Sequence, residues 1–274
     1  MPSPTTISVD KLSRLYGTPG CATLVDVRTD EDFAATPRLV PGSVRRSHSS
    51  APEWAVNLAT RQAVVICRQG RKLSEGVAAW LRHEGIAAEA LEGGFDAWTA
   101  AGLPTVPEER IPARDGQGRS VWVTRARPKI DRIACPWLIR RFVDPLAVFL
   151  FVAPQEVEEV ADRFNAVPFD VENVFWSHRG ELCTFDVMVE EFGLATEPLM
   201  RLTKIVRGAD TARLDLEPEA AGLLAASLGL SRMFSDDLEQ LEAGLTLYDA
   251  FYRWARDATG ETHNWPSAKA GGTR

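Results

Sequence analysis

A cysteine followed at once by a basic, glycine-containing loop carries the densest chemistry in this chain of 274 residues. Cys67 closes an apolar run, Ala63-Val64-Val65-Ile66, and opens the loop Cys67-Arg68-Gln69-Gly70-Arg71-Lys72. Apolar residues then recur at helical spacing at Leu73, Val77, Trp80 and Leu81. A strand that passes through such a loop straight into a helix aims unpaired N–H groups at one point. The result is an anion nest, reinforced by the positive end of the helix. Arg68, Arg71 and Lys72 add charge of the same sign. Both effects favour thiolate over thiol, and the thiolate is the nucleophile. The same nest suits an anionic sulfur donor and then a bound persulfide. Gly70 lets the backbone turn with no Cβ in the way. A buried structural cysteine at a strand end is the plain alternative, because free Cys is among the most buried residue types. The basic loop between strand and helix favours the functional reading. Cys67 is the expected nucleophile, and Arg68, Gln69, Gly70, Arg71 and Lys72 are the expected substrate-binding loop.

A second concentration lies at residues 119–141, where Arg119, Arg125, Arg127, Lys129, Arg132, Arg140 and Arg141 face one acid, Asp131. Arg125, Arg127 and Lys129 alternate, so an extended segment 121–129 puts all three on one strand face. Arg132 follows at the expected start of a helix, where the dipole also favours an anion. Guanidinium groups offer a fork of N–H donors to a compact dianion. These four residues make an expected second anion site, for an oxyanion such as chromate or sulfate; an ordinary solvated face is the alternative. His178, Cys183 and Asp186 have the atom types of metal ligands but no repeated spacing. Thr184 as an N-cap, Asp186 as a first-turn acid and Cys183 as a packed thiol account for the same residues. No metal and no cofactor is therefore assigned. His48, His83 and His263 have no partners in sequence and are expected at the surface.

The elements that must position these groups follow from periodicity. Residues 22–28 and 63–67 read as short buried strands, with the turn signal Pro41-Gly42 between them. A helix over 72–84 ends at Gly85. A strand at 88–91 and a helix carrying Phe95 and Trp98 follow. Strands alternating with helices imply a parallel sheet covered on both faces. Residues 104–119 contain Pro104, Pro107, Pro112, Gly116 and Gly118 with many charges, the composition of a linker. Beyond it, strand-like runs at 121–125, 147–152 and 173–177 are outnumbered by helical patterns near 131–143, 155–165, 185–192, 197–207, 217–228 and 236–257. The expected organisation is an α/β domain over 1–104, a linker over 105–119, and a helix-rich α+β domain over 120–274.

Composition sets the outer bounds. The net charge of −7 argues against broad nucleic-acid binding. No apolar run approaches the ~18 residues of a membrane helix. The opening residues Met1-Pro2-Ser3-Pro4 carry neither a basic nor an apolar leader region, so the expected location is cytoplasmic. Cys21, Cys67, Cys135 and Cys183 are far apart with no CxxC pair, as free thiols in a reducing compartment would be.

With these residues in view, residues 6–104 resemble a single-domain rhodanese, a sulfurtransferase. Leu24-Val25-Asp26-Val27-Arg28 resembles that family's first signature and Val40-Pro41-Gly42-Ser43 its Pro-Gly turn. Gly93-Gly94-Phe95-Asp96-Ala97-Trp98, then Gly102-Leu103-Pro104, resembles its closing signature. Val40 is a small departure, since the family often has His or Ile before Pro-Gly. The resemblance implies a rhodanese-like parallel sheet, a persulfide on Cys67, mainly structural roles for Asp26 and Arg28, and a thiosulfate-like donor suited to the basic loop. Phosphatases of this fold need His-Cys, five residues and then Arg. Here Ile66 precedes Cys67 and Leu73 stands where that Arg would be, so that activity is rejected.

Residues 120–258 resemble the C-terminal domain of the chromate-resistance regulator B family. The resemblance rests on Lys129-Ile-Asp-Arg-Ile-Ala-Cys-Pro-Trp-Leu-Ile-Arg-Arg-Phe142, on His178-Arg-Gly-Glu-Leu-Cys-Thr-Phe-Asp186, on Ile205-Val-Arg-Gly-Ala-Asp210 and on Tyr248-Asp-Ala-Phe-Tyr252. Full-length regulators of that family carry a DNA-binding region where this chain resembles a rhodanese, which weighs against transcriptional regulation. The expected function is thiosulfate sulfurtransferase, moving sulfur from a thiosulfate-like small molecule to a thiophilic acceptor, joined to a domain implicated in chromate resistance or oxyanion handling. The alternative is an oxyanion- or redox-sensing regulatory protein with little turnover.

Overall fold

A computed structural model of the protein describes residues 5–58 and 60–262. The expectations for the leader region at residues 1–4 and for His263 fall outside them. The first half builds β1 (Thr6–Ile7), α1 (Val9–Ser13), β2 (Thr23–Asp26), α2 (Asp30–Ala35), β3 (Arg38–Leu39), β4 (Ser43–Arg45), α3 (Ala51–Ala55), β5 (Gln62–Ile66), α4 (Lys72–His83), β6 (Ala87–Leu91), α5 (Gly94–Ala100) and β7 (Val106–Pro107). Five of these strands form one sheet in the order β1-β6-β5-β2-β4, parallel throughout. β5 is therefore central, and Cys67 leaves it at the carboxyl edge, where open α/β sheets bind ligands.

Strand alternation sorts the side chains between two cores. Leu24, Val64, Ile66 and Leu91 face α1 and α5 with Leu12, Phe95 and Trp98. Val25, Val65 and Cys67 face the other way, against Ala51 and Ala55 of α3 and Val77, Ala78 and Leu81 of α4. The helices start where short polar side chains satisfy free N–H groups. Ser8 Oγ accepts from Lys11 N at 3.2 Å, and Thr29 Oγ1 accepts from Asp32 N at 3.1 Å.

The second half builds β8 (Val121–Arg125), α6 (Asp131–Phe142), β9 (Val148–Val152), α7 (Val157–Phe164), β10 (Val167–Pro168), α8 (Thr184–Glu191), α9 (Glu197–Asp210), α10 (Ala220–Met233) and α11 (Asp237–Asp257). Its strands pair in parallel in the order β10-β8-β9. Trp137 of α6 is fully buried, with Phe142, Phe185, Tyr248 and Tyr252 ranged around it at 5.5–6.3 Å between ring centres. The strand expected at 173–177 does not form. That segment turns, with Asn173 at φ +61°, and keeps a single bridge from Trp176 to Phe169.

The two halves share one core. Tyr16 packs edge-on to Trp98 at 5.4 Å and to Phe142 at 6.0 Å, joining the first sheet's α5 to the second half's α6. Gly42 N–H donates to the Phe142 carbonyl at 2.7 Å. A Cβ on Gly17 would lie 2.3 Å from the Phe142 ring. The segment expected as a linker is strapped down rather than free. β7 pairs antiparallel with β3, Val106 is 1% exposed within the joint core, and Arg114 bridges to Ser120. Among the described residues, no helix is long and apolar enough to cross a membrane.

Candidate functional site

Cys67 Sγ sits at the mouth of α4. It accepts the Arg71 N–H at 3.3 Å and lies 3.1 Å from Ser74 Oγ, which in turn donates to the Arg71 carbonyl at 3.0 Å. Arg71 occupies the N-cap position without a capping side chain, so first-turn N–H groups of this twelve-residue helix remain available to a ligand. Asp32, Arg68, Gln69, Arg71, Lys72 and Leu73 join Cys67 around an open recess of about 430 Å³. Cys67 is 5% exposed, at the floor. The structure thus brings four of the five expected loop residues, Arg68, Gln69, Arg71 and Lys72, around the sulfur, while Gly70 packs behind against the Leu91 oxygen. Their side chains differ in commitment. Arg68 is engaged by Asp32 at 3.1 Å and Asp96 at 3.3 Å, whereas no acid pairs with Arg71 or Lys72 among the described residues.

The shape of this loop is set from behind by α5. Phe95 N–H donates to the Cys67 carbonyl and Asp96 N–H to the Arg68 carbonyl, both at 2.9 Å. Gly70 and Gly94 take positive φ, +64° and +61°. A Cβ on Gly94 would stand 2.2 Å from the Cys67 oxygen, and one on Gly70 2.2 Å from the Leu91 oxygen. Both contacts are with backbone, so neither position admits a side chain. Asp26 and Arg28, 0% and 2% exposed, form a buried pair at 2.6 Å. The remaining Arg28 donors reach the Thr36 carbonyl at 3.2 Å and the Arg38 carbonyl at 2.6 Å. With its Nε and both terminal nitrogens engaged in this buried network, Arg28 is a structural anchor.

The basic stripe of the second half does not form the expected common face. β8 ends at Arg125, and Arg127 takes φ +57°, which breaks the alternation on which that face depended. Arg127 swings to the carbonyls of Ser231, Phe234 and Ser235. Lys129 is exposed by itself. Arg125 and Arg132 do converge, but on Asp170, at 3.2 and 3.3 Å. Arg119, Arg140 and Arg141 find Asp115, Glu242 and Asp249. Arg125, Arg132, Arg140 and Arg141 are thus anchors met by acids from distant segments, which a local charge count could not reveal, whereas Arg119 pairs locally.

A different cluster lies beside Asp170. His178 Nε2 is 3.3 Å from Asp210 Oδ2, 3.5 Å from Asp170 Oδ1 and 3.6 Å from Asp131 Oδ2. Asp131, the first residue of α6, is fully buried; its Oδ2 accepts the Thr184 N–H at 2.6 Å, while its Oδ1 has no partner. Thr184 Oγ1 donates to Asp170 Oδ1 at 2.9 Å. Burial first, then Asp210 and Asp170, pushes the Asp131 carboxyl well above the usual carboxylate range. Asp170 and Asp210 push the His178 imidazole up to about 10. Asp170, despite burial, is held below the usual range by His178, Thr184, Arg132 and Arg125.

Cys183 and Asp186 are not partners of His178 in this group of carboxylates. Cys183, rather than Thr184, is the N-cap of α8, and its N–H donates to Asp186 Oδ2 at 3.1 Å. Asp186 also meets Arg207 at 3.3 Å. Sequence reasoning picked out His178 but missed Asp131, Asp170 and Asp210. Asp131 stood as the lone acid in a basic stretch, which was a signal; nothing local marked the other two. His48 is half-buried and His83 exposed.

Two family models each match part of the chain. Residues 8–101 match the rhodanese-like domain and residues 122–255 match the ChrB C-terminal domain. Protein ChrB of Cupriavidus metallidurans is 31% identical over 222 residues, covering 73% of this chain. The chain spans 66% of that relative, just under two thirds of its length. Among solved structures, the thiosulfate sulfurtransferase of Pseudomonas aeruginosa is 28% identical over 40% of this chain and 20% of its own, with a TM-score of 0.35. A rhodanese-like domain protein of Staphylococcus aureus is 28% identical over 34% of this chain and 90% of its own, with a TM-score of 0.31.

Proposed function

The chain joins a rhodanese-like domain, residues 8–101, to a ChrB C-terminal domain, residues 122–255, and from that premise we propose that it is a sulfurtransferase of the thiosulfate type, with Cys67 carrying the transferred sulfur. The observation that supports this most directly is the Arg71 N–H donating to Cys67 Sγ at 3.3 Å, at the start of a helix whose first turn has no capping side chain. Thiosulfate enters the recess with its sulfonate end toward Arg71 and Lys72. The Cys67 thiolate attacks the outer sulfur, the S–S bond of thiosulfate breaks, and sulfite leaves with that bond's electron pair. The persulfide then gives its outer sulfur to a thiophilic acceptor, and the thiolate returns. Backbone N–H groups around the loop stabilise the charge in both steps.

The test is transfer of sulfur from thiosulfate to cyanide by the full chain. Thiocyanate forms with the native protein and not with Cys67→Ala. Native-like rates in that variant defeat the assignment. The extent of the ChrB likeness favours one second reading, an oxyanion or redox sensor in chromate resistance. It predicts one equivalent of persulfide without sustained turnover, an outcome that the same assay separates from catalysis.

A further inference from the structure

The carboxylates around His178 make a centre that the Cys67 chemistry does not use. Four segments meet there: the start of α6 with Asp131, the turn after β10 with Asp170, the loop before α8 with His178, and the last residue of α9, Asp210. Asp131, Asp170 and His178 each offer one donor atom, and these lie within 4.8 Å of one another.

One imidazole nitrogen carries at most one proton, yet here it faces oxygens of three separate carboxylates at 3.3, 3.5 and 3.6 Å. A charge-assisted hydrogen bond is shorter, about 2.7–2.9 Å. Ligands held near 2.1 Å from one shared cation are about 3.0–3.4 Å apart, close to the 3.3–3.6 Å that separates His178 Nε2 from each carboxylate. A second observation is independent of the cluster's composition. Asp131 is 0% exposed; its Oδ2 both faces His178 and caps α8, and Oδ1 of the same buried carboxylate has no hydrogen-bond partner. A buried carboxylate oxygen without a partner is costly and calls for a ligand.

We infer that Asp131, Asp170, His178 and Asp210 bind one divalent transition-metal cation of the Mn²⁺ class. Oxygen donors with a single imidazole suit such an ion, whereas softer metals are drawn to thiolates. Arg125 and Arg132 hold the far oxygen of Asp170 at 3.2 and 3.3 Å, leaving Oδ1 turned toward the centre. Fixing a ligand's orientation in this way is the usual work of groups one layer out from a metal. The His178 side chain is 41% exposed and that of Asp210 20%, so the ion has an entry path on that side.

The test is titration of the full chain, stripped by a chelator and kept reduced, with Mn²⁺ followed by electron paramagnetic resonance. One equivalent of bound Mn²⁺ per chain is expected. His178→Ala and Asp210→Asn, which change the two partly exposed members, should each weaken binding at least about tenfold while sulfur transfer by Cys67 continues. Failure of the native chain to bind stoichiometric Mn²⁺ at millimolar concentration overturns the site, as does undiminished binding in both variants. Spin-echo modulation on the native protein gives an answer that needs no variant. Coupling to one imidazole nitrogen supports the centre, and its absence overturns it.

Discussion

The guanidinium carbon of Arg28 lies 3.8 Å from the centre of the Phe95 ring. Phe95 N–H holds the Cys67 carbonyl, so the buried pair that starts at Asp26 bears, through one aromatic ring, on the helix that shapes the Cys67 loop.

Replacing Arg28 with Met leaves the Asp26 carboxylate buried without its partner. A loss of about 3–5 kcal/mol is expected, read from the urea midpoint at constant slope. The double variant Asp26→Leu/Arg28→Met removes both charges and should lose less than the single one. A single variant within about 1 kcal/mol of native would show that the pair does not anchor this face.

Cys67 should be the first thiol alkylated at neutral pH by a small reagent. Cys135 and Cys183 are fully buried, and burial pushes both thiols well above the usual range. Burial raises Cys21 to about 11, so its thiolate forms and its labelling grows only as pH climbs toward that value. Mass spectrometry after limiting iodoacetamide reads the order. Prior labelling of Cys135 or Cys183 at pH 7 would contradict it.

Because Tyr16, Trp98 and Phe142 pack in one core, the two halves should unfold together. Phe142→Ala is expected to cost about 3–5 kcal/mol. Hydrogen exchange should register that loss equally in β5 of the first half and in α8 of the second. Two separated transitions, or a loss confined to α8, would mean that the halves are independent.

The centre of the first domain, β2, β5, β6, α4 and α5, could be read from local sequence because its strands are short apolar runs closed by turn signals, whereas the short β1, β3, β4 and α1–α3 carried too few residues for a pattern. Pattern alone also placed β8 at its observed bounds and found every long helix. What stayed hidden was long-range. The composition of residues 104–119 spoke for a tether, yet Val106 is buried where β7 meets β3. The alternation of Arg125, Arg127 and Lys129 spoke for one strand face, but a positive φ at Arg127 turns the backbone before that face can form. The carboxylates around His178 come from segments up to 79 positions apart in the chain, between Asp131 and Asp210, and no periodicity records such a meeting. Gly93-Gly94 was legible as a motif but not as a device, since its role depends on a loop more than twenty residues earlier.

Gly70 and Gly94 press the loop and α5 back to back, with no room for a methyl group at either position. The recess is consequently a cup with a fixed base and a variable rim. Arg68, Gln69, Arg71 and Lys72 are exposed on that rim, where exchanging them would change the shape and charge of the recess without moving the sulfur. The groups that shape what reaches the cup are thereby separate from the two glycines that hold its base, so the rim is open to exchange at four side chains where the base admits none.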